Sequence, residues 1–431
     1  MEFASIQEVL SKGQGAFNIR GWIKRKREQK NNIFLIVRDG TNFIQCVLEK
    51  EKVSEKEFSD AQKANIESSI ELQGIASKDE RAPNGVEIKA SKFNVVSFGE
   101  EFPIQKDFSE TFLLDVRHLW LRSEKMTRSM KVKSSLFKAY HDFFRGEGYI
   151  ETQGPSFVSG AVEGGSTLFE VPYFGNKVYL SQSAQFYNEV YIFALEKIYT
   201  LAPSFRAEKS RTRRHVTEFW HAEWETAWQD LHGLMEQEER MIKSICSDLL
   251  EKHIDDMKYF NSDPKKIEAV IDTKFEKFTY DQVFEVAQKK FPELKWGDDL
   301  EEHHEREITK DFEVPIFVHN YPAKLKPFYH RPDPKDKGRT VLCVDMLAPE
   351  GYGEIIGSGE RCFELNELIQ RMKAEKLDTA AYQWYIDLRK YGSVPHAGGG
   401  LGLERLMTWI FNLEHIRDAI GFPRTINRYY P

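Results

Sequence analysis

The sequence predicts an α+β protein that begins with a barrel of five strands. Short strand-like runs, separated by turn signals such as Asp39-Gly40, occupy the first 100 residues. Apolar residues then recur at helical spacing from Lys131 to Glu147 and from Leu231 to Phe260. Strand patterns return after Pro315. This order favours a β-barrel followed by a larger domain in which helices and strands mix.

The length sets the domain organisation. A chain of 431 residues is too long for one ordinary core, so we expect two or three domains. The patterns place a barrel at 1–100, a connector at 101–125 and a second domain at 126–431. A polar, acidic stretch suggests a small helical insertion around 230–312. Its adjacent histidines, His303 and His304, lie among glutamates, which indicates a solvated helix face.

The composition argues for a cytoplasmic protein without membrane spans. No run approaches the roughly 18 apolar residues of a spanning helix, and the first residues lack a basic head followed by an apolar core. The four cysteines lie far apart without metal-ligand spacing, so they read as reduced thiols. The net charge of −7 does not exclude a nucleic-acid partner, because affinity for phosphates depends on local patches.

The barrel carries one such patch. The segment from Trp22 to Phe34 holds five basic residues immediately before the apolar strand residues Ile33 to Leu35. An OB-fold barrel holds single-stranded bases in this way, by charge and by stacking on an aromatic ring. A barrel with a solvated basic edge explains the same residues.

The strongest chemical signal is a hairpin with a cationic tip. Apolar strands at 198–205 and 216–224 flank the charged segment Arg206 to Arg214. Its arginines crowd around Glu208 and His215, which is costly unless a polyanion binds there. A solvated charged loop is the alternative.

The order of residues in this hairpin resembles motif 2 of the class II aminoacyl-tRNA synthetases. The resemblance implies that Arg206 holds the α-phosphate of ATP, that Glu208 accepts from the adenine amino group, and that Phe219 stacks on the adenine. Arg214 and His215 would hold the leaving pyrophosphate. A planar guanidinium suits phosphate because it donates two parallel hydrogen bonds.

Two further segments resemble the other class II motifs. The helix at 131–147, followed by Gly148, a short strand and Pro155, is similar to motif 1, which implies a homodimer interface. The segment from His396 to Arg405 is similar to motif 3, where the glycines, including Gly402, let the backbone approach ATP and Arg405 holds the γ-phosphate. Together the motifs imply a class II catalytic domain, with a mixed, mainly antiparallel sheet flanked by helices.

Paired carboxylates predict a metal site. Asp345 and Glu354 stand nine positions apart across a turn and could share Mg²⁺, which prefers oxygen ligands and bridges phosphates. The resemblance implies the same role for this pair. It makes Arg206, Arg405 and Glu354 the catalytic set, acting on ATP through charge and position.

The N-terminal OB-fold restricts the resemblance to the aspartate, asparagine and lysine subgroup. There a Glu-Gly-Gly loop and a Gln-Ser-x-Gln pair bind the α-ammonium of the amino acid, which implies roles for Glu163, Ser183 and Gln185. The last two would lie on a strand at 179–187. Arg361 would contact the amino-acid side chain.

Two positions favour asparagine over aspartate. Where the aspartyl enzymes place a lysine and an aspartate, this chain has Asn188 and Glu223. A pocket with one acid, one guanidinium and no ammonium group suits a neutral carboxamide, which offers both a donor and an acceptor. Glu223 would accept from the amide nitrogen, while Arg361 donates to its oxygen. Aspartate would bring two carboxylates face to face.

The resemblance also gives the RNA partner and the alternatives. It places Phe34 under the central anticodon base, Gln45 on that base's Watson–Crick edge and Arg27 nearby, so the tRNA for asparagine is the expected partner. A non-discriminating aspartyl enzyme and a non-catalytic RNA-binding relative remain open. The chain departs from the family at 357–360, where Gly-Ser-Gly-Glu replaces Gly-Gly-Ser-Gln, and at Gly399, which replaces an aromatic residue.

Overall fold

The computed structural model describes residues 2–105, 108–160, 167–209 and 212–431. The chain divides into two compact units, Met1–Leu113 and Leu114–Pro431. Each unit has a core of its own, and the two are described separately. None of the described helices combines the length and the apolar character needed to cross a membrane.

The first unit is a closed barrel. Within its described residues the elements are α1 (Ile6–Lys12), β1 (Gly15–Glu28), β2 (Asn32–Arg38), β3 (Phe43–Glu49), α2 (Glu55–Lys63), β4 (Ser69–Lys78) and β5 (Val86–Ser97). The strands pair in the order β1-β2-β3-β5-β4, and β4 closes back onto β1. The β3–β5 pair is parallel, whereas β1 pairs antiparallel with both of its neighbours. The predicted five-stranded barrel is confirmed.

Alternating side chains explain why this segment closes into a barrel. In β2, Ile33, Leu35 and Val37 point inward and are fully buried, while Phe34 and Ile36 between them stay partly exposed. This period of two is the signature of a strand with one buried face. The inward residues of all five strands meet in one apolar core.

The second unit mixes helices and strands. Helix α3 (Glu110–Asp115) spans the boundary between the units. The described helices that follow are α4 (Arg117–Trp120), α5 (Glu124–Gly146), α6 (Gln185–Leu195), α7 (Leu231–Tyr259), α8 (Pro264–Asp272), α9 (Tyr280–Lys290), α10 (Glu302–Thr309), α11 (Leu365–Ala374), α12 (Gln383–Lys390) and α13 (Leu403–Ile410). The described strands are β6 (Ile150–Glu151), β7 (Phe157–Val158), β8 (Glu170–Tyr173), β9 (Asn176–Leu180), β10 (Lys197–Phe205), β11 (Glu218–Ala227), β12 (Glu276–Thr279), β13 (Ile316–His319), β14 (Cys343–Ala348), β15 (Gly353–Glu360) and β16 (His396–Gly402).

A mixed sheet organises this unit. In the part of the chain that the structure describes, eight strands follow the order β12-β13-β14-β15-β16-β11-β10-β6. The end pairs β12–β13 and β10–β6 are parallel, and the pairs between them are antiparallel. A separate sheet has the order β7-β9-β8. The α+β class and the mainly antiparallel sheet are as predicted.

Helices α5 and α7 cover the sheet. They pack on each other and share a core with the strands. Tyr140 of α5 donates a hydrogen bond to the Glu223 carbonyl of β11 at 3.0 Å. Because α5 packs against one face of β11, the opposite face of the strand can present polar side chains to a cavity.

Candidate active site

A cavity of about 450 Å³ lies over the middle strands of the sheet. It is lined by predicted site residues from separate parts of the sequence, which are Ser183, Gln185, Asn188, Arg206, Glu223, Asp345, Glu354 and Arg361. A narrower cleft of about 60 Å³ adjoins it and is lined by Arg206, Glu208, Arg214, His215, Phe219, Glu354, Gly402 and Arg405. Arg206 and Glu354 border both spaces, which therefore lie side by side. The cavity and the cleft are together called the chamber, and each forms one of its two ends. Glu163 lies outside the described residues.

One end of the chamber is strongly cationic. Arg214 donates to the Glu354 carbonyl at 3.0 Å, and the Arg405 guanidinium lies 3.6 Å from the Glu354 carboxylate. Burial lowers the pKa of Arg405; its partner Glu354 opposes this, and the neighbouring guanidinium groups of Arg214 and Arg206 add to it. Several guanidinium groups in so small a volume favour a polyphosphate ligand.

The narrow cleft has an aromatic wall. The Arg206 guanidinium lies over the Phe219 ring, 5.3 Å from its centre. His215 pairs with Thr212 at 2.6 Å and lies 3.7 Å from the Glu208 carboxylate. Burial and the charge of Arg405 lower the pKa of His215. A flat ring beside a carboxylate acceptor suits a purine with an exocyclic amino group.

Asp345 and Glu354 converge as the sequence predicts. A β-carbon built on Gly357 would lie 3.2 Å from Glu354 Oε1 and 3.7 Å from Asp345 Oδ1, so both carboxylates point into a cradle that a larger residue would fill. Among the described residues, no group of three or more His, Cys, Asp or Glu side chains forms a metal site. A pair of carboxylates that leaves room for phosphate oxygens and waters fits Mg²⁺.

The other end of the chamber holds the predicted side-chain pocket. Glu223 is buried, and its carboxylate accepts hydrogen bonds from the Ser183 hydroxyl and from Ala184 N at 2.8 Å. Burial raises the pKa of Glu223. Arg361, also buried, donates through Nε to Glu225 at 2.9 Å. Glu223 and Arg361 therefore line one cavity, each held by its own partner.

The expectation of a pocket with a single acid was wrong, because Glu225 lines the cavity together with Glu223 and accepts from Arg361. The cavity as a whole also contains one ammonium group, although it does not lie beside Glu223 and Arg361. Lys326, which the sequence analysis missed, lines the same cavity. Its Nζ lies 2.8 Å and 2.6 Å from the two Asp345 carboxylate oxygens. Its charge is thus paired with the Asp345 carboxylate and not with the Glu223–Arg361 end of the chamber.

The predicted strand at 179–187 was also wrong. Strand β9 ends at Leu180, and helix α6 begins at Gln185. Gln185 Nε2 donates to Glu189 at 3.1 Å, and Asn188 Nδ2 donates to Thr200 at 2.7 Å. A helix start places Gln185 and Asn188 on neighbouring turns, and both side chains line the cavity.

Comparison with known proteins decides the family. Residues 109–426 match the family model described as tRNA synthetases class II (D, K and N), and residues 17–96 match the OB-fold nucleic acid binding domain. This chain is a class II tRNA synthetase of the D, K and N group.

Several relatives of this synthetase carry one name. The asparagine–tRNA ligase of Thermoplasma acidophilum is 50% identical over 429 residues, which cover 99% of this chain and 100% of the relative. That of Thermococcus gammatolerans is 48% identical and covers 96% of this chain and 95% of its own. The asparaginyl-tRNA synthetase of Pyrococcus horikoshii complexed with asparaginyl-adenylate superposes with a TM-score of 0.96 at 44% identity, over 100% of both chains.

The glycines of the synthetase's motif 3 have a packing reason. A β-carbon on Gly398 would overlap the Glu225 carboxylate, and one on Gly400 would overlap the His221 ring. Glu225 pairs with Gly398 across β11 and β16. The glycines thus let polar side chains of motif 2 lie flat against the neighbouring strand.

The departure at Gly399 is compensated from the next strand. A β-carbon there would lie 2.6 Å from that of Ser358 and 2.8 Å from the Trp224 indole. Trp224 of β11 is fully buried, so it fills the space beside this glycine. The two departures, at Ser358 and Gly399, therefore lie against each other on neighbouring strands.

Sequence reasoning also missed Glu305. The helix around His303 and His304 was predicted to be a solvated face, but His304 is 5% exposed and Glu305 8%. Glu305 accepts from Arg214 and from Glu354 N, both at 3.1 Å. Burial, with the neighbouring Glu354, raises the pKa of Glu305. Only its charge in an acidic stretch was visible in the sequence, and nothing there indicated that α10 turns it inward.

The barrel carries its own candidate site. Arg27 and Phe34 are directly opposite each other on β1 and β2, and Gln45 on β3 is opposite Ile36. Gln45 Nε2 donates to Glu87 at 2.6 Å. Phe34 and Gln45 alternate with the inward residues of β2 and β3, which places them on the outer face of the barrel.

Proposed function

We propose that this synthetase activates L-asparagine with ATP and transfers it to the tRNA for asparagine, releasing AMP and diphosphate. The observation that carries the proposal is the chamber itself, which joins a polyphosphate end to a buried acid and guanidinium. The relatives named asparagine–tRNA ligase, at up to 50% identity over the whole chain, support the same substrate.

ATP binds at the cationic end. Its adenine stacks on Phe219 with the amino group toward Glu208, Arg206 holds the α-phosphate, and Arg405 with Arg214 and His215 holds the phosphates that leave. Asp345 and Glu354 would hold Mg²⁺, which when bound neutralises charge on the phosphoryl oxygens. These groups are in place before the reaction, so they need little reorganisation as charge develops.

Asparagine binds at the other end. Its ammonium lies near Gln185, with Glu163 as a further partner, and its amide lies between Glu223 and Arg361. Its carboxylate attacks the α-phosphorus in line, and diphosphate leaves toward Arg405. No strong base is needed, because the carboxylate is already ionised and positioning supplies most of the rate. The terminal adenosine hydroxyl of the tRNA then attacks the activated carbonyl.

Asparagine is selected by the charge of Glu223. That carboxylate has two protein donors and spare acceptor sites for the amide nitrogen. Aspartate would place a second carboxylate against it in a buried site, at a cost of about 3–5 kcal/mol. Arg361 does not relieve this cost fully, because Glu225 already shares its charge.

The second unit also supports a homodimer. Ile150, on the edge strand β6, is 47% exposed, and the rings of Phe157, Tyr173 and Phe174 cluster on the small sheet with Phe174 92% exposed. Such a patch favours burial against a second copy. The four cysteines of the sequence are buried free thiols, which supports a cytoplasmic location. Sedimentation velocity tests the dimer.

One assay tests the function. ATP–diphosphate exchange is measured with asparagine and with aspartate. We expect exchange with asparagine at least about a hundredfold above that with aspartate. Equal exchange with both would favour a non-discriminating aspartyl enzyme. No exchange with any amino acid would favour a non-catalytic RNA-binding protein.

A further inference from the structure

The Lys326 ammonium is the counter-ion of Asp345, one of the two carboxylates proposed to hold Mg²⁺. Its ammonium lies within 2.8 Å of both Asp345 oxygens, between them, and 4.2 Å from the centre of the Tyr321 ring. Asp345 Oδ1 also faces the cradle above Gly357, on the same side as Glu354. The ammonium therefore borders the space that the two carboxylates enclose.

The backbone around Lys326 is pinned from outside the chamber. Arg371 of α11 donates to the carbonyls of Ala323 at 2.9 Å, Lys326 at 2.6 Å and Pro327 at 3.0 Å. The loop is thus fixed, while the four-carbon stem of the lysine leaves its ammonium free to swing. The proposed change of partner therefore requires rotation of the lysine side chain alone.

A divalent ion and this ammonium compete for Asp345. Mg²⁺ needs oxygens at roughly 2.0–2.1 Å in octahedral geometry, which places it in the region that the ammonium borders. The Arg405 guanidinium, 3.6 Å from the Glu354 carboxylate, adds positive charge beside the pair. The two carboxylates are thus compensated by cations of the chain itself, Asp345 by Lys326 and Glu354 by Arg405.

ATP changes this balance. Its phosphates bring negative charge to the arginines and supply further oxygen ligands at the cradle. Lys326 lines the same cavity as Gln185 and Arg361, so an ammonium that leaves Asp345 stays in the space that the amino acid is proposed to enter. The α-carboxylate of that amino acid is an anion in the same space.

We propose that Lys326 is the resident counter-ion of Asp345 in the ATP-free enzyme, and that it moves to the α-carboxylate of the amino acid when Mg²⁺ enters with ATP. The proposal rests on the function proposed above. It makes metal binding depend on ATP, and it makes Lys326 a substrate-binding residue.

The first test measures metal binding without activity. Mn²⁺ is titrated into ATP-free enzyme, and free Mn²⁺ is followed by electron paramagnetic resonance. Lys326→Met removes the competing charge, so we expect it to bind Mn²⁺ about tenfold or more tighter than the wild type. Lys326→Arg keeps the charge and Lys324→Met changes an exposed lysine of the same loop, so both should match the wild type. Equal Mn²⁺ affinity in Lys326→Met and wild type would overturn the proposal.

The second test covers the case in which Lys326→Met fails to fold. In a crystal structure of the wild type with Mg²⁺, asparagine and a non-hydrolysable ATP analogue, we expect Lys326 Nζ to contact the asparagine carboxylate, beyond hydrogen-bond distance from Asp345. An ammonium still bound to both Asp345 oxygens would refute the displacement. If the wild type showed no exchange with asparagine, the proposed function would fail, whatever its Mn²⁺ affinity.

Discussion

The Glu223→Gln variant tests how the pocket separates asparagine from aspartate. Glu223 is 4% exposed, and both of its oxygens accept hydrogen bonds, from the Ser183 hydroxyl and from Ala184 N. A glutamine can keep both contacts, because its oxygen accepts from Ala184 while its amino group donates to Ser183. The variant should therefore fold and change only the charge.

The expected effect follows from the charge that is removed. Two carboxylates facing each other in a buried site cost about 3–5 kcal/mol, which is about two to three orders of magnitude in preference. Asparagine loses one acceptor for its amide, worth about 0.5–1.5 kcal/mol. The ratio of kcat/KM for asparagine over aspartate should thus fall by about a hundredfold or more.

The assay is ATP–diphosphate exchange with each amino acid. Glu236→Gln, at an exposed position of α7, makes the same substitution outside the chamber and should leave the ratio unchanged. An unchanged ratio in a folded Glu223→Gln enzyme would refute the assignment of Glu223 to the side-chain amide.

Three further outcomes are expected. Glu238 is fully buried, and burial raises its pKa to about 8 although Ser358 opposes this shift. From pH 4.5 to about 8 it should therefore contribute a loss of about 1.4 kcal/mol of stability per pH unit, and Glu238→Gln should remove that contribution in urea unfolding. Phe34→Ala should raise KM for tRNA by about tenfold through lost stacking, with amino-acid activation unchanged. Lys133→Met removes the cation that lies 2.7 Å from the buried Glu404 carboxylate and leaves it, among the described residues, only the backbone donor Trp220 N, so it should cost about 3 kcal/mol in thermal unfolding.

Each expectation has an outcome that contradicts it. Parallel pH profiles of wild type and Glu238→Gln would mean that the acid is charged in the folded enzyme. If Phe34→Ala left the KM for tRNA unchanged, the anticodon would not bind at Phe34. For Lys133→Met, the double variant with Glu404→Gln is the control, because it removes both charges and should recover part of the stability. No recovery would mean that Lys133 acts through packing alone.

Local patterns were enough for the fold. Alternation in β2 and helical spacing in α5 and α7 follow directly from which side chains must be buried, and both predictions hold. The predicted helix boundaries were less accurate, because capping residues decide where a helix begins. Helix α5 begins seven residues before the predicted Lys131, where the Ser123 hydroxyl accepts from Met126 N.

The order of the motifs along the chain was enough to predict most of the residues that line the chamber. Arg206, Asp345, Arg361 and Arg405 carry charges that are unusual at their positions, so each is visible in the chain. The bond between Glu225 and Arg361 was not visible in the sequence. It joins residues 136 positions apart, one on β11 and the other directly after β15.

The sequence by itself determined the family, the five-stranded barrel, the mixed sheet and the substrate expected from Asn188 and Glu223. Those conclusions depend on neighbours along the chain, where spacing is fixed by the backbone. Only the tertiary structure decided which charges compensate which. Lys326 contacts Asp345, Glu305 contacts Arg214, and Trp224 fills the space beside Gly399. These contacts join segments that are distant in the sequence. No local pattern predicts them, because they form only when the sheet and its helices pack together.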